Sequence, residues 1–599
     1  MIDLVKHNLA TCFSERPIQL VIGALVIGIY CSAVFVLGGQ LEANSAFEWR
    51  MLTLAKILGF AILAAIPGGI VLRFCLKRNG GGKSNAIAKA FGGGSSEKSD
   101  FCSHFKAGHF RLATKHKAIS LICMVVPQIV VLLIMFPGAY AYDGAYHILQ
   151  YLDGDTQITS QYSVIYTVYL GFFVSIGQSI DNVQLTFGIA MLLQACINIL
   201  VLYKCLNFVA CETASRLAWA ATLIFFSVFP CALFLRVSSS QDVLFATFFL
   251  AALVELTKLG KKLVGNEKIT VKEAVPYIAF SVLYMLMRNN GVYALAVCAV
   301  LLLPLAIKSK GWRIFAVIVV PAFLYLLING PIYSAFGIGA SEHTLREMSS
   351  IPSQQIVRAV ETDPEEISQE EFSIFAQAYN WDAFDYVSEG TSWYWTQSEI
   401  SDVAKAGLNE DFVKNNLAQY LQLWINVGLK APKSYIEAFA MNSLGFWYPA
   451  KTYPDARMYH PYVEYNTTAG SSWNAKYIDI PRSSLLPNVD ELVSVEVYGK
   501  GWSNSSFSIV LKSGFYFLLF VICLVACKYV KRRDLYPLLY LVGGLIVTLF
   551  LAPVCLFRYV YPLILSTPLL FLVFYSAKGN SESEDGIADV GVKANALCA

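Results

Sequence analysis

The feature that most limits what this chain can fold into is a series of apolar segments, each about twenty residues long, along most of its length. A helix of this length crosses a bilayer, and in lipid only helices and closed barrels satisfy their own backbone groups. Hydrophobic residues make up 56% of the 599 residues and charged residues 15%, which excludes a soluble enzyme with a single anchor. The sequence therefore predicts an all-α polytopic membrane protein.

Hydropathy indicates about twelve spans. They lie at 18–38, 52–75, 118–136, 185–206, 214–236, 241–258, 274–288, 291–307, 312–332, 508–527, 536–553 and 559–576. The first is predicted to be a retained span, because no small-residue cleavage site follows it. One further apolar stretch, 163–176, is short for a span; it is either a thirteenth span or a helix in the membrane interface.

The distribution of Lys and Arg decides between these two alternatives. The connections 76–117, 258–272, 308–313 and 528–534 are rich in both residues and should face the cytoplasm. Twelve spans with a cytoplasmic N-terminus place all four inside, whereas a thirteenth would put the first opposite the others. We therefore expect 163–176 to lie along the outer interface, steeply inclined to the spans.

These assignments divide the chain into six parts. They are a two-span hairpin at 1–78, a flexible Gly- and Ser-rich cytoplasmic linker at 79–117, a membrane core at 118–332 with its first outer loop at 137–184, an extracytoplasmic domain at 333–507, the last three spans at 508–576 and a cytoplasmic tail at 577–599. The extracytoplasmic domain has no cysteine, so it is not a disulfide scaffold. Ser368 with Glu371 fits a capping box and Pro432 suits a first helical turn, so we expect this domain to be mainly helical.

The predicted outer face collects charges in very short loops. Asp143 lies in the first loop, Arg236 and Asp242 flank another, and Arg288 and Arg558 each end or begin a span. Any one of these arginines could simply anchor a helix at the interface. As a group they oppose the positive-inside bias, and a carboxylate at a membrane surface is costly unless water or a ligand holds it. The net charge of +3 gives no reason to expect nucleic acid as a partner.

The motifs around these charges resemble those of the GT-C superfamily, the multi-pass glycosyltransferases that use lipid-phosphate sugars. The resemblance rests on the stretches PGAYAYDGAYHILQY, SSSQDVLFATFFLAALVEL, IPSQQIVRAV, KAPKSYIEAF, GFWYPA and RYVYP. Several of them are similar to stretches in a bacterial family of uncharacterised GT-C-like membrane proteins. The resemblance covers about 118–574 and implies a GT-C-like membrane core, a polyprenyl-phosphate sugar as donor, and a glycan, lipid or protein of the cell envelope as acceptor.

It also implies roles for the charged residues. Asp143 would be the general base for the acceptor hydroxyl, and Arg288 and Arg558 would hold the donor phosphate, which guanidinium groups match in geometry. Arg236 and Asp242 would pair with each other or line the site, with Arg236 as a further ligand of the donor phosphate and Asp242 as a further catalytic acid.

Weaker candidates surround this group. His147, one helical turn after Asp143, would orient it or be a solvated interface residue. Gln241, Asn289 and Tyr559 would line the site. Asp153 and Asp155 would bind a divalent cation or simply form a turn. Many GT-C enzymes carry two adjacent acids in the first loop, where this chain has Asp143 alone, so the resemblance leaves metal use open and no cofactor is certain.

Two other classes of function remain open. A transporter or lipid flippase would also place charges in a membrane, but it should show repeated halves with broken spans at matching positions, which we do not find. A non-catalytic receptor or assembly scaffold is compatible with the extracytoplasmic domain but leaves the arginines unexplained. The leading hypothesis is a glycosyltransferase acting on the outer face of a bacterial cell membrane.

Overall fold

A computed structural model of the chain describes residues 17–48, 50–79, 102–105, 109–112, 114–140, 143–153, 158–339, 344–379, 404–405, 407–450, 480–491, 508–553 and 555–575. Over these residues the protein is all-α apart from one antiparallel hairpin of β1 (Cys102–Phe105) and β2 (His109–Leu112). This hairpin falls within the predicted linker 79–117, so that end of the linker is folded, in contrast to the flexible segment we expected. Residues 80–101, the Gly- and Ser-rich part, lie outside the described residues.

The helices are numbered in chain order. The first thirteen are α1 (Pro17–Asn44), α2 (Met51–Asn79), α3 (Thr114–Ile134), α4 (Gly144–Leu152), α5 (Val164–Ser179), α6 (Val183–Thr213), α7 (Arg216–Val228), α8 (Pro230–Phe234), α9 (Gln241–Gly265), α10 (Val271–Met287), α11 (Asn290–Ser309), α12 (Trp312–Leu327) and α13 (Tyr333–Ala335). The others are α14 (Thr344–Met348), α15 (Ser350–Thr362), α16 (Gln369–Ala378), α17 (Glu410–Asn415), α18 (Leu417–Lys430), α19 (Pro432–Asn442), α20 (Leu444–Trp447), α21 (Ser513–Val530), α22 (Tyr536–Phe550) and α23 (Tyr561–Leu570). Short 3-10 turns lie at Leu235–Val237, Pro364–Glu366, Ser508–Leu511, Arg533–Leu535, Phe557–Val560 and Phe571–Phe574, and a π turn at Ile328–Ile332.

The protein is a multi-pass integral membrane protein. Within the described ranges, ten helices are long and apolar enough to cross a membrane: α1, α2, α3, α6, α9, α11, α12, α21, α22 and α23, some with a flanking turn. There are eleven if α7 and α8, which meet at a 60° bend, count as one span. The predicted span 274–288 corresponds to α10, whose 17 residues extend roughly 25 Å at 1.5 Å per residue. The count of twelve stays a prediction.

Helix α9 is the central helix of the bundle. In its most apolar stretch 89% of the residues are buried inside the protein, compared with 17% for α2. A helix that is apolar on all sides can be enclosed in this way, whereas α2 keeps most of its surface for lipid. Asp242 lies in the first turn of α9, so the position of this carboxylate is set by the most enclosed helix.

The short apolar stretch forms α5, which packs antiparallel to the first part of α6. Tyr166 donates to Gln194 Oε1 at 3.0 Å, Tyr169 lies near Ala190, and Gly177 lies against Thr186. The helix has 16 residues, or roughly 24 Å, which is shorter than a bilayer core. The steep inclination that we expected is therefore wrong with respect to α6, while its place in the membrane interface stays a prediction.

The described helices from α14 to α20 form what we call the inserted region. The predicted capping box is confirmed, since Ser368 and Glu371 exchange side-chain and backbone hydrogen bonds at the start of α16. Residues such as Val357, Phe375 and Val427 build an apolar core separate from that of the spans. The described part of this region is therefore helical, as predicted, and it has an apolar core of its own.

A buried ion pair joins the inserted region to the N-terminal hairpin. Arg358 of α15 donates to Glu437 of α19 at 2.7 Å, and both side chains are 4% exposed. Arg358 also donates to the carbonyl of Ser45 at 2.6 Å, and Glu437 accepts from the backbone N–H of Phe47 at 2.7 Å. A buried pair is tolerated only when such additional hydrogen bonds compensate its desolvation. The turn between α1 and α2 is thus packed into the inserted region.

Candidate functional site

A short stretch of parallel pairing brings two distant loops together. The N–H of Ala139 donates to Val237 at 2.7 Å, and the N–H of Ser239 donates to Ala139 at 2.9 Å. A Cβ on Gly144 would lie 2.3 Å from Ser239 Oγ, so the start of α4 approaches this loop too closely for a side chain. The pairing fixes the segment before α4 beside the segment before α9, so that Asp143 at the start of α4 and Asp242 in the first turn of α9 lie close together.

Asp242 is held at the N-terminus of α9 by a local cap. Ser240 Oγ accepts the backbone N–H of Asp242 at 3.2 Å and donates to its carboxylate at 2.9 Å. A negative charge in the first turn of a long helix is favoured by the helix dipole and by the unpaired N–H groups there. Only 3% of the Asp242 side chain is exposed, so its charge depends on these groups and on nearby cations.

Two arginines from the ends of other helices complete what we call the acid–arginine cluster: Asp143, Asp242, Arg288 and Arg558. Arg558 bridges the aspartates, with Nη1 at 2.8 Å from Asp143 Oδ2 and Nε at 3.4 Å from Asp242 Oδ2. Arg288 Nη1 pairs with the other oxygen of Asp242. The two negative and two positive charges balance, which is the condition for keeping charges in a poorly hydrated place.

The cluster has an enclosed half and an accessible half. The side chains of Asp242 and Arg558 are 3% and 7% exposed, whereas those of Asp143 and Arg288 are 27% and 20% exposed. The guanidinium of Arg288 lies 4.1 Å from the ring centroid of Tyr559, and that of Arg558 lies 5.2 Å from it. One aromatic ring therefore contacts both cations, which stabilises two like charges side by side. A ligand approaching from solvent would meet Asp143 and Arg288 first.

Arg558 controls the charge state of Asp143. Burial raises the pKa of Asp143, but the charge and the hydrogen bond of Arg558, together with the charge of Arg288, act against it, and the net pKa of this carboxyl is below its usual value. In the present arrangement Asp143 is therefore ionised but a weak base. Its basicity would rise if Arg558 were drawn away from it.

Comparison with known proteins identifies the chain at the level of family. One family model matches residues 145–588, which is well over half of the chain. The chain belongs to the family of unknown function DUF6020. Neither a curated protein nor a solved structure matches it. The DUF6020 match includes Asp242, Arg288 and Arg558 and begins two residues after Asp143, so it contains three of the four members of the acid–arginine cluster.

His147 lies in the DUF6020 region but does not have the contacts that we expected. Its ring is fully buried, with Nδ1 at 2.8 Å from Thr167 Oγ1, and Nε2 has no hydrogen-bond partner in the described part of the chain. Burial lowers the pKa of His147 to about 4. It is therefore neutral near pH 7, it is not the solvated interface residue that we considered, and its ring makes no hydrogen bond to Asp143.

Arg236 lies apart from the acid–arginine cluster. Its Nη1 donates to Gln128 at 3.1 Å and its Nη2 donates to the carbonyl of Phe226 at 2.5 Å. In a continuous helix this carbonyl would accept from residue 230, but Pro230 has no N–H and the helix is broken between α7 and α8. Arg236 therefore replaces the missing donor at the bend, and it does not pair with Asp242 as one alternative predicted.

Gln241 and Asn289 hold a loop next to the cluster and do not enter the cluster. Gln241 Oε1 accepts the N–H of Ser163 at 2.8 Å, and Asn289 Nδ2 donates to the carbonyl of Ser160 at 2.8 Å. Tyr325 donates in turn to Asn289 Oδ1 at 2.9 Å. The segment between α4 and α5 is thus fixed to the start of α9 and the end of α10, while Tyr559 is the predicted second-tier residue that contacts the cluster.

The residues present do not fit a divalent cation in the cluster. Within the described ranges no group of three or more His, Cys, Asp or Glu side chains could hold a metal ion. Asp143 and Asp242 are both already paired with arginines, whose charges would repel a cation. Asp153 forms the C-cap of α4, and Asp155 lies outside the described residues. The divalent cation stays a prediction, and no chemical step is derived from it.

Three supporting residues were missed by reasoning from the sequence. Ser240 caps α9, Thr167 binds His147, and Gln194 donates to the carbonyls of Arg236 and Ser238 at 2.9 and 2.8 Å. A serine two residues before an acidic first turn is a recognisable N-cap, so Ser240 could have been predicted. Nothing local marks Thr167 or Gln194, because their partners come from other helices.

Proposed function

We propose that the protein is a membrane glycosyltransferase of the GT-C type, which transfers a sugar from a polyprenyl-phosphate donor to an acceptor of the cell envelope. The proposal includes about twelve spans, an extracytoplasmic position for the inserted region and a bacterial cell membrane as its location. One observation carries it: Arg558 bridges Asp143 and Asp242, while Arg288 pairs with Asp242 beside it. Two guanidinium groups next to one accessible carboxylate are the groups that phosphate departure and acceptor deprotonation need.

The proposed reaction is a displacement at the anomeric carbon of the donor. The acceptor oxygen forms a bond to this carbon, the bond from the carbon to the phosphate oxygen breaks, and the acceptor proton passes to Asp143. The phosphate leaves with the electron pair of the broken bond, and Arg288 and Arg558 stabilise its charge. Asp242 takes no part in the proton transfer and keeps the two arginines in place.

Donor binding would itself make Asp143 an effective general base. Arg558 now gives Asp143 a hydrogen bond from one nitrogen, whereas a phosphate can accept two parallel hydrogen bonds from a guanidinium, so a bound phosphate would take over the hydrogen bond that Arg558 gives to Asp143. Since Arg558 is what lowers the pKa of Asp143, losing this contact would raise that pKa and make Asp143 a better proton acceptor. Asp143 would thus become active only when a donor occupies the site.

The main alternative is a transporter or flippase for a lipid or polysaccharide. The same arginines would then bind the phosphate of a lipid that moves without being cleaved. Purified protein reconstituted in proteoliposomes with polyprenyl-phosphate hexose and pentose, labelled in the sugar, distinguishes the two. We expect label to move from lipid to an envelope fraction added on the cluster side, and Asp143→Asn to lower this transfer by at least roughly 10²-fold. Movement of intact labelled lipid across the bilayer, unchanged in Asp143→Asn, would support the flippase instead.

The side of the membrane is tested separately. Cysteines replacing Glu370 in α16 and Glu267 in the turn after α9, both exposed, are labelled in intact cells with a membrane-impermeant maleimide. The turn after α9 belongs to a Lys- and Arg-rich connection and is predicted to be cytoplasmic. Only the cysteine at position 370 should therefore react. Labelling is compared with the parent protein to subtract native cysteines. The reverse pattern would place the inserted region in the cytoplasm and contradict an envelope acceptor.

A further inference from the structure

An unusual apolar stripe lies on helix α18 of the inserted region. Four side chains at intervals of four residues, Leu417, Leu421, Ile425 and Leu429, are 47%, 43%, 52% and 77% exposed. The opposite face of the same helix is already used, since Tyr420, Leu423 and Val427 are part of the apolar core of the inserted region. The stripe is therefore not the core-facing side of an ordinary amphipathic helix, and it needs a separate explanation.

The helix is not apolar on all of its exposed surface, so the stripe is a distinct feature of one side. Polar side chains occupy the sector beside it, where Gln419 and Gln422 are exposed and Asn426 is half-buried. Lysines lie at both ends of the helix, since Lys414 precedes it, Lys430 is its last residue and Lys433 follows it. A narrow apolar stripe bordered by amides and ended by lysines is the pattern of a helix that lies in a membrane interface.

The structure connects α18 to the ends of the spans. Only Ala431 separates α18 from α19, and Glu437 of α19 accepts from Phe47 in the turn between α1 and α2. Farther along α19, Asn442 donates to the carbonyl of Ala552 just after α22. Ile436, which is 59% exposed, precedes Glu437 directly, so exposed apolar surface extends from α18 to the level where two spans meet.

The next helix reaches below that level. Tyr448, just after α20, packs edge-on against Phe35 of α1 with ring centroids 6.2 Å apart. Phe35 is nine residues before the end of α1 at Asn44, or roughly 13 Å along the helix. The chain from α18 to Tyr448 thus descends from the inserted region into the apolar layer that the spans define. We propose that the stripe Leu417, Leu421, Ile425 and Leu429 docks on the lipid bilayer, in the leaflet next to the acid–arginine cluster.

This docking would hold the inserted region at a fixed distance from the membrane surface through two contacts. One is the buried ion pair that binds the α1–α2 turn, and the other is the α18 stripe. The stripe gives the region a contact with lipid that does not depend on any partner protein. Docking of the stripe on lipid is independent of the proposed glycosyl transfer, because it depends only on the exposed apolar stripe and on the attachment of the following helices to the spans.

Photo-crosslinking in the full-length protein tests the proposal. Benzoylphenylalanine replaces Ile425 on the stripe, Gln422 on the polar side of the same helix as the matched control, and Phe323 of α12, which is 68% exposed on a span, as the positive control. Each variant is reconstituted in nanodiscs of phosphatidylethanolamine and phosphatidylglycerol, irradiated and analysed by mass spectrometry. We expect lipid adducts at Ile425 as frequent as at Phe323, and background levels at Gln422.

Two results would overturn the proposal. One is the absence of lipid adducts at Ile425 while Phe323 reacts with lipid, which would show that the stripe is away from the bilayer. The other is a crosslink from Ile425 to another segment of this chain or to a second copy, which would show that protein covers the stripe. Leu421 substituted in the same way provides a repeat on the stripe if the Ile425 variant does not fold.

Discussion

Arg558 and Arg236 are both buried arginines near the ends of neighbouring membrane helices, and they differ in what their guanidinium groups contact. Arg558 contacts two carboxylates, one of which is 27% exposed, and shares the ring of Tyr559 with Arg288. Arg236 is fully buried and donates to the amide of Gln128 and to the backbone carbonyl of Phe226. The first set of partners can be exchanged for those of an anionic ligand, while the second set repairs a break in a helix.

This difference distinguishes an arginine that could bind a ligand from one that only stabilises the fold, although the residue type is the same. A carboxylate partner that water or ligand can reach makes an arginine available for exchange, since a phosphate offers the same hydrogen bonds and more charge. A backbone carbonyl left without its donor by Pro230 cannot move away, so Arg236 has nothing to exchange. Gln194 donates to the carbonyls of both Arg236 and Ser238, so it links the bend at Pro230 to the loop that precedes α9 and Asp242.

The largest effect should come from Asp143→Asn. It keeps the shape of the side chain and removes its basicity, so sugar transfer should fall roughly 10²–10⁴-fold, the range typical of a general base. Donor binding should persist, because Arg288 and Arg558 remain. Transfer is measured in proteoliposomes and donor affinity by equilibrium binding of labelled lipid. Normal transfer by Asp143→Asn would remove Asp143 from the mechanism and leave Asp242 as the remaining acid of the cluster.

The second prediction concerns the pH dependence of stability and His147, which is fully buried. Its pKa is about 4 in the folded protein and 6.5 ordinarily, so the unfolded chain binds the proton first as the pH falls. Stability should therefore fall between about pH 6.5 and pH 4, by about 3 kcal/mol at most. His147→Phe keeps a buried ring without titration, and its melting temperature in detergent should depend less on pH over this range. Equal pH dependence in both proteins would contradict a buried neutral histidine.

Arg558→Ala should mainly weaken donor binding. A hydrogen bond between charged groups contributes about 1.5–3 kcal/mol, which corresponds to about 10–100-fold in Kd. Arg558→Lys keeps the charge but not the fork of donors, so its Kd should lie between those of the other two proteins. If Arg558→Ala binds the donor as the parent protein does, the cluster is a structural ion-pair network and the comparison with Arg236 fails.

Arg236→Leu should have the smallest effect on ligands and a clear effect on stability. It leaves the Phe226 carbonyl buried without a donor, at a cost of about 1–3 kcal/mol. The melting temperature should fall while donor Kd stays unchanged, and Arg236→Lys should recover part of the loss. A variant with the parent melting temperature and weakened donor binding would instead make Arg236 a phosphate ligand, as its sequence position first indicated.

Much of the fold could be predicted from the sequence because it depends on local pattern. Hydropathy located the ten helices of the described ranges that are long and apolar enough to cross a membrane, and the capping residues Ser368 and Glu371 located the start of α16. The pairing of strands β1 and β2 and the antiparallel packing of α5 on α6 were missed, since both depend on pairing between segments. The site was predicted in part: four of the charged residues lie together, and Arg236 does not, because its carbonyl partner depends on a break in a helix.

By itself the sequence determined that this is an all-α membrane protein and which charged residues lie at the ends of its apolar segments. Helix length, apolar period and charge distribution are properties of neighbouring residues, and the physics of the bilayer acts on them directly. Only the tertiary structure decided which charges meet, since Arg558 and Asp143 are 415 residues apart. It also decided that Arg236 and His147 are fully buried and form their hydrogen bonds with uncharged groups, because burial depends on how helices pack and not on which residue types the chain contains.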